Sequence, residues 1–350
     1  MLQRFHHFTI CLVLLSSFWA NAQIGGRSVY NFLTLSPSAR HTMMGGAYIT
    51  VKDDDPSIAF GNPSVLNPTM HNKISLSTVA YPGKINHGVG SYARYNGKFT
   101  WNTGFQYITY GNFTRTDPNG TVLGTFNANE FAVFYGMAYE VEKYSFGGNA
   151  KFIYSGLDGN ISTGMAFDLA ANYTDTAKMF SASLVLKNIG FQFNSHTGSP
   201  REPIPFDIQI GISKRLKYMP FRFNMVVHNL WRWDIRYDDP TLQDDGGIFG
   251  QDSTSGGGAG DFFDNFFRHF IFGGEFYFGK SFRVGFAYNH LKRQELAVNY
   301  QNYKRGFAGF SFGFGFDVKQ FEINYGFAKT HVASGIHHFT LNIDLDAFMR

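Results

Sequence analysis

Phenylalanine alternates with glycine and small polar residues along much of the chain, and this period of two constrains the fold more than any other feature. In residues 310–316 every even position is phenylalanine, and the odd positions are Ser311, Gly313 and Gly315. Because successive side chains of a strand point to opposite faces, this segment is predicted to be a strand with one aromatic face. A soluble strand rarely places phenyl groups on one face and glycine on the other. The pattern therefore favours a strand that faces lipid.

The same alternation, followed through the whole chain, predicts fourteen strands. Most have roughly the 9 to 11 residues that a tilted membrane strand requires. They lie at residues 72–81, 86–95, 98–110, 130–140, 143–154, 162–173, 179–188, 204–216, 221–229, 268–278, 281–291, 306–317, 321–328 and 337–347. This reading places most of the 40 phenylalanines and 19 tyrosines. After residue 22, no stretch approaches the ~18 apolar residues of a spanning helix.

The connections between these strands alternate in length. Short turns are predicted at residues 96–97, 140–143, 174–178, 217–220, 279–280 and 318–320. Long connections are predicted at residues 111–129, 155–161, 189–203, 230–267, 292–305 and 329–336, and only 82–85 is short where a long one is expected. Short turns on one rim and long loops on the other are typical of an outer-membrane barrel, and they place both chain ends on the periplasmic side.

The predicted fold class is therefore all-β, a 14-stranded antiparallel transmembrane β-barrel. Such a barrel must close, because hydrocarbon offers no hydrogen bonds to a free strand edge. The alternative is a soluble sandwich or propeller, which uses the same alternation with its apolar faces turned inward.

The first 22 residues are predicted to be a secretory signal that is removed. Arg4 precedes an apolar run at residues 8–19, and Ala20-Asn21-Ala22 supplies a cleavage site of small residues. The mature chain would begin at Gln23, with 29 Lys and Arg against 26 Asp and Glu. This near balance argues against a nucleic-acid-binding protein, which would show a basic stripe.

Several kinds of chemistry are excluded or disfavoured. The only cysteine, Cys11, lies in the apolar run of the signal, so the mature chain has no disulfide, cysteine nucleophile or thiolate metal site. There is no G-x-S-x-G, H-E-x-x-H or P-loop motif. The neighbours His337 and His338 point to opposite faces of a strand and are poorly arranged to share a metal. We expect neither an enzyme nor a bound cofactor.

Residues 230–267 form the longest predicted loop, which is acidic in the middle and aromatic at both ends. Its aspartates do not have the spacing of a calcium loop, so a solvated acidic loop is favoured over a metal site. The aromatic residues suit an interfacial belt or a protein contact equally well. The candidate partner-contact residues are Trp231, Trp233, Phe262, Phe263 and Phe266.

Residues 52–68 hold three consecutive acids and three prolines with no sustained strand or helix period. Asp53, Asp54 and Asp55 are predicted to form turns and polar hydrogen bonds, because adjacent acids near prolines more often do so than bind a cation. Fourteen strands enclose a lumen wider than the filled lumen of an eight-stranded barrel. We therefore predict three parts, a signal at residues 1–22, a hatch or plug at 23–71, and a barrel at 72–350.

Short motifs stand out in the predicted plug, namely Ser38-Ala39-Arg40, Gly45-Gly46-Ala47, Asp53-Asp54-Asp55 and the Asn62-Pro63 turn ahead of the first strand. Together they resemble the N-terminal hatch of FadL-like outer-membrane barrels. Within that group they are most similar to the PorV/PorQ family of the type IX secretion system, and specifically to its PorQ-like members. The detailed resemblance covers residues 28–68, and the strand count extends it to the whole chain.

The resemblance implies a role in protein secretion. PorQ-like barrels belong to a surface attachment complex with a sortase, a PorV-like barrel and a PorZ-like surface protein, which fixes cargo to lipopolysaccharide. The chain is then expected to lie among outer-membrane lipid and lipopolysaccharide and to anchor the PorZ-like partner through its outer loops. The alternative is a FadL-like transporter of fatty acids or other hydrophobic small molecules, with the hatch and the lumen as its binding site.

Overall fold

The computed structural model describes residues 28–198, 200–236, 259–279, 281–296, 306–330 and 334–348. The predicted signal and most of the acidic loop lie outside these residues. The described residues form fourteen strands, each antiparallel to its neighbours in the chain, and β14 closes on β1. Lys73 pairs with Asp344 at one end of this seam and Ala80 with His337 at the other. The closed fourteen-stranded barrel is thus confirmed, and the sandwich and propeller alternatives are excluded.

The strands have the following bounds. They are β1 (Lys73–Tyr81), β2 (Ile85–Tyr95), β3 (Phe99–Thr116), β4 (Val122–Val141), β5 (Tyr144–Leu157), β6 (Asn160–Asp175), β7 (Phe180–Asn194), β8 (Asp207–Arg215), β9 (Phe221–Val227), β10 (Phe270–Phe278), β11 (Phe282–Asn289), β12 (Phe310–Val318), β13 (Phe321–Ala328) and β14 (Ile336–Asp344).

The aromatic face of the strands points out of the barrel, as the alternation predicts. In β12 the side chains of Phe312 and Phe314 are 46% and 43% exposed, whereas Ser311 is buried. The outward rings form ladders across strands, with 5.2 Å between the ring centroids of Phe314 and Tyr325. Many inward positions are polar or small, and large apolar ones such as Ile108, Phe134 and Ile153 pack against residues 28–71. An apolar exterior with a polar interior is the arrangement of a membrane barrel.

Two of the predicted long loops are wrong. Residues 111–129 continue β3 and β4 as a paired hairpin, and Asp117 accepts hydrogen bonds from the backbone N–H groups of Asn119 and Thr121 at its tip. Residues 155–161 form a tight turn, in which Asp158 and Gly159 both have positive φ angles that suit a two-residue hairpin. Residues 111–129 contain one stacked aromatic pair, Phe113 and Phe126, rather than a run of alternating aromatics, and residues 155–161 contain no aromatic residue. The alternation therefore could not detect them.

Three α-helices complete the described chain. They are α1 (Ala39–Met43), α2 (Ala259–Arg268) and α3 (His290–Glu295). β11 ends two residues earlier than predicted because the Asn289 side chain accepts a hydrogen bond from the backbone N–H of Lys292, which caps α3. None of the helices in the described part of the chain is long and apolar enough to cross a membrane.

Residues 28–71, which we call the plug segment, run down the lumen before β1 begins. Val29 donates a backbone hydrogen bond to the Pro203 carbonyl, near the rim with the longer connections. At the other end, His71 Nδ1 accepts from the backbone N–H of Tyr95, beside the short Asn96-Gly97 turn. Between them lie α1 and four short 3-10 helices, at Asn31–Thr34, Pro56–Phe60, Pro63–Val65 and Pro68–Met70. The location of both chain ends in the periplasm stays a prediction, since residues 1–27 are not described.

Candidate functional site in the barrel lumen

Helix α1 is bound to the inner wall formed by β11 to β14. Ser38 begins the helix, and its side chain accepts a hydrogen bond from the backbone N–H of His41. The backbone N–H of Ala39 donates to Thr340 Oγ1 over 2.8 Å, and the Thr42 hydroxyl bonds to His338 Nδ1 over the same distance. After the helix, Gly45 and Gly46 have positive φ angles of 84° and 100°, which glycine adopts without strain. The predicted motif at residues 38–46 thus shapes the contact with the wall.

Arg40 lies at the centre of a buried group of charges that joins the plug segment to the wall. Its Nη1 is 2.7 Å from Asp53 Oδ2 and 3.5 Å from Asp55 Oδ2, and its Nε is 3.0 Å from Glu275 Oε1 in β10. The side chains of Arg40, Asp55 and Glu275 are at most 1% exposed. Tyr48 donates a hydrogen bond to Glu275. We call Arg40, Asp53, Asp55, Tyr48 and Glu275 the lumen latch.

The charges of the lumen latch stabilise one another. Burial alone would lower the pKa of Arg40, but the negative charges of Asp53 and Glu275 hold it well above its ordinary value. For Tyr48, burial raises the pKa well above its ordinary value, so the phenol stays protonated and can donate to Glu275. A buried charge without such partners would cost several kcal/mol. The latch therefore depends on all its members being in place.

The three consecutive acids differ in their contacts, although Asp53 and Asp55 share Arg40. Asp53 pairs with Arg40, and Asp54 points outward to Lys73. Burial would raise the pKa of Asp54, but the hydrogen bond and charge of Lys73 outweigh it and lower that pKa. Asp55 Oδ1 accepts hydrogen bonds from the backbone N–H of Ser57 and from Asn342 Nδ2. Among the described residues, no group of three His, Asp or Glu side chains is arranged to hold a metal ion.

The Asn62-Pro63 turn lies against β5 on the opposite side of the lumen from α1. Asn62 Oδ1 accepts from the backbone N–H of Ser64, and its Nδ2 donates to the Ile49 carbonyl over 2.6 Å. The Ser145 hydroxyl donates to the Ser64 carbonyl over 2.6 Å. A Cβ at Gly147 would lie 2.5 Å from the Pro63 carbonyl carbon, so only glycine permits this approach. The described part of the plug segment thus contacts both sides of the wall.

A second buried ion pair lies in the wall beside this turn. Lys151 Nζ is 2.7 Å from Asp168 Oδ2, and neither side chain is exposed. The ammonium also lies 5.1 Å from the centroid of the Phe60 ring, which belongs to the plug segment. This cation–π contact adds to the binding between plug and wall.

A cavity of about 650 Å³ lies above the plug segment, towards the rim with the longer connections. Leu33, Leu35 and Ala47 of the plug segment are in its floor, and strand ends such as Ile85 and Ile271 form its walls. Small-molecule sites typically measure roughly 300–1,000 Å³ and are largely apolar with a few polar groups. The cavity meets this description in size and in the mixed character of its lining.

Lys187 supplies a positive charge to the cavity lining. None of the hydrogen bonds and ion pairs among the described residues involves its ammonium, although Asp168 and Asp207 are close enough to interact with it electrostatically. Two further polar atoms of the lining residues are buried and have no partner within the described chain, namely Gln209 Oε1 and His228 Nε2. Buried polar groups without partners are costly, and a ligand is one way to satisfy them.

Acid is expected to destabilise the plug segment, because the ring of His41 is buried in its neutral form. Burial, with the positive charges of Lys187 and Arg40, lowers its pKa from 6.5 to about 3. The unfolded chain binds this proton near pH 6.5 and the folded chain does not. The contribution of neutral His41 is therefore complete above pH 6.5 and falls by up to about 1.4 kcal/mol per pH unit as the pH drops towards 3.

Thermal unfolding of wild type and His41→Gln, compared at neutral pH and midway through this window, checks the prediction. The wild-type midpoint should fall further on acidification than that of His41→Gln. Equal falls in both proteins would contradict it.

The five candidate partner-contact residues lie at the rim with the longer connections. Trp231, Trp233, Phe262 and Phe263 are each more than half exposed. Phe266 packs against the barrel instead, with its ring centroid 4.7 Å from that of Phe270. Whether any of the five contacts a partner stays a prediction.

Sequence reasoning missed Glu275, although it is central to the lumen latch. A lone acid interrupts the aromatic strand 268–278, at a position that faces the lumen, and this signal was available in the sequence. Lys151 and Asp168 carry the same signal, since each is a lone charge on the inward face of a predicted strand. Their pairing across strands depends on the register, which the sequence pattern leaves open.

Known proteins resemble this chain in structure but not in sequence. No family model and no curated protein matches it. The CymD monoaromatic hydrocarbon channel is similar with a TM-score of 0.50 and 13% identity, over 90% of this chain and 97% of the channel. The toluene transporter TbuX of Ralstonia pickettii is similar with a TM-score of 0.49 and 12% identity, over 90% of this chain and 97% of the transporter. A FadL homologue of Pseudomonas aeruginosa is similar with a TM-score of 0.47 and 9% identity, over 88% of this chain and 98% of the homologue.

At 13% identity, the likeness to CymD bears on the fold and not on the function. The closed ladder and the aromatic exterior are those of a fourteen-stranded membrane β-barrel, and the CymD channel has a similar fold. The narrower resemblance to the PorV/PorQ family has no support from these comparisons.

Proposed function

We propose that this chain is an outer-membrane channel for hydrophobic or amphipathic small molecules, with the cavity above the plug segment as its binding site. The observation that carries the proposal is the cavity itself, which has about 650 Å³ of space and is lined in part by residues 33–36 and 45–47. The CymD channel, which has a similar fold, is described as a channel for monoaromatic hydrocarbons. In this proposal residues 28–71 act as the plug that keeps the lumen closed to water.

The lining favours an amphipathic ligand with an acidic head over a neutral hydrocarbon. Lys187 offers an ammonium that has no hydrogen-bond or ion-pair partner among the described residues, while the half-buried side chains of Leu35, Ile85 and Phe206 offer apolar surface. A charged hydrogen bond formed in a desolvated pocket is about twice as strong as a neutral one. Dodecanoate should therefore bind more tightly than dodecanol, which has the same chain and no charge.

Filling the cavity tests the proposal. Ile85→Trp places an indole in the lining and should weaken dodecanoate binding by at least about tenfold, which corresponds to 1.4 kcal/mol. Leu76→Trp is the matched control, because Leu76 lies on the outward face and is 47% exposed. Isothermal titration calorimetry of the delipidated proteins measures dodecanoate binding by both variants. A wild-type protein that binds neither dodecanoate nor toluene, or an Ile85→Trp variant that binds as the control does, would overturn the proposal.

A role in protein secretion is the second proposal. It is supported by the resemblance of residues 28–68 to the PorQ-like hatch and by the exposed aromatic side chains at the rim. In this role the chain would anchor a PorZ-like surface protein, with a sortase and a PorV-like barrel in the same complex. Deleting residues 238–260, most of which lie outside the described chain, should abolish co-purification of the surface partner. Full retention of that partner would exclude docking through this loop.

A further inference from the structure

Helix α2 lies against the outside of the barrel at the rim with the longer connections. The ring centroid of Phe266 is 4.7 Å from that of Phe270, and Phe270 stacks on Phe272 at 5.7 Å. Ile271, between these two, lines the cavity, so Phe270 and Phe272 point outward. The Phe267 ring also contacts His290 at the start of α3. The aromatic residues of α2 therefore continue the lipid-facing ladder of β10.

The polar residues of α2 fix the helix in this position. Asn265 Nδ2 donates to the Trp233 carbonyl over 2.6 Å, and its Oδ1 accepts from the backbone N–H of Ile235. Asp264 pairs with Arg268 at 2.7 Å and with His290 at 3.0 Å. The Tyr288 hydroxyl bonds in turn to His290 Nδ1. These contacts join α2 to α3 and to the segment that follows β9.

The other face of α2 is apolar and uncovered. Phe262, Phe263 and Phe267 are 54%, 56% and 44% exposed, and Trp233 beside them is 53% exposed. The Trp233 and Phe262 rings are 5.3 Å apart. A fixed helix with one polar face used for docking and one face of large aromatic residues matches an amphipathic helix that lies in a membrane interface.

We propose that α2 and Trp233 form an interfacial lipid contact, with Phe262, Phe263, Trp233 and Phe267 inserted at the boundary between head groups and acyl chains. Lipid is the expected contact because this surface is continuous with the outward-facing aromatic side chains of β10, which lie in the bilayer. Tryptophan is enriched at this depth since its ring is apolar and its N–H is polar. The contact fixes the height of this side of the rim relative to the membrane surface.

Tryptophan fluorescence tests the proposal directly. Outside the predicted signal the chain has Trp101, Trp231 and Trp233. The variant Trp101→Phe/Trp231→Phe keeps Trp233 alone, and Trp231→Phe/Trp233→Phe keeps Trp101 alone. Trp101 lies on the outward face of β3 and stacks on Tyr135, so it is the control for lipid contact. Each variant is placed in nanodiscs of phosphatidylcholine with bromine atoms high in the acyl chains.

Brominated lipid should quench Trp233 to an extent comparable with Trp101, and aqueous acrylamide should quench it weakly. Phe262→Ser/Phe263→Ser added to the Trp233 variant should reduce quenching by brominated lipid and shift the emission to the red. If that addition prevents folding, the two single-tryptophan variants still decide the question. A Trp233 that acrylamide quenches fully and brominated lipid does not quench overturns the proposal, and leaves protein docking as the use of this surface.

Discussion

Replacing Arg40 by alanine is expected to loosen the plug segment while leaving the barrel closed. The change removes the ion pairs of Arg40 with Asp53 and Glu275 and leaves Glu275, which is fully buried, with Arg222 at 3.6 Å as its remaining ion-pair partner among the described residues. Breaking a buried ion pair from one side costs about 3–5 kcal/mol. This cost lies in the contact between plug and wall, because the strand ladders do not include Arg40.

Two measurements check this expectation. Conductance in planar bilayers should rise in Arg40→Ala as the lumen admits water and ions. A cysteine in place of Ser57, whose buried hydroxyl has no partner in the described chain, should react with a maleimide only in the Arg40→Ala background. No other thiol interferes, since Cys11 lies in the predicted signal.

Lys73→Ala is the matched control, because it breaks the pair with Asp54, which is 59% exposed. Exposed pairs are worth only about 0–1 kcal/mol, so conductance and labelling should stay as in wild type. If Arg40→Ala also behaved as wild type in both assays, the lumen latch would not hold the plug segment in place.

Gly147→Ala is expected to displace the Asn62-Pro63 turn from the wall. The added methyl group would lie 2.5 Å from the Pro63 carbonyl carbon and 2.6 Å from the Ser64 nitrogen, and both are backbone atoms that cannot turn aside. Forcing one extra carbon into a packed site costs about 1–3 kcal/mol. The thermal midpoint should fall, and the cysteine at position 57 should become partly reactive.

Gly148→Ala controls for the change of residue type in the same strand. Its side chain would point outward, where the nearest atoms are the Asp168 carbonyl oxygen at 3.3 Å and Leu169 Cδ2 at 3.6 Å. We expect a near wild-type midpoint and no labelling at position 57. Indistinguishable behaviour of the two alanine variants would show that the turn is not held against Gly147.

The barrel itself was predictable from the sequence because one physical rule governs every strand. Lipid on one side and a polar lumen on the other impose a period of two, and Phe312, Gly313 and Phe314 display it plainly. The rule holds only at membrane depth. Residues 111–116 of β3 and 122–129 of β4 show the alternation only weakly, so the pattern alone predicts a loop there, and it does not detect the tight Asp158-Gly159 turn.

The interior of the lumen was predictable only in part. The motif residues Arg40, Asp53 and Asp55 were identified by resemblance, and the acids were expected to form polar contacts rather than to bind a cation. Glu275, which pairs with Arg40, lies more than two hundred residues away in the chain. Such pairings depend on strand register and on the path of the plug segment, and neither leaves a local pattern in the sequence.

The path of residues 28–71 has a consequence for how the barrel assembles. α1 is bonded to β12 and β14, while the Asn62-Pro63 turn lies against β5, so one short segment bridges the two halves of the wall. The segment precedes β1, and β1 is the strand that pairs with β14 to close the ring. If the barrel closed first, this segment would have to enter the lumen lengthwise through one of its open ends. The β1–β14 seam is therefore expected to close around the segment. The segment would then act as an internal template that brings the first and last strands into register.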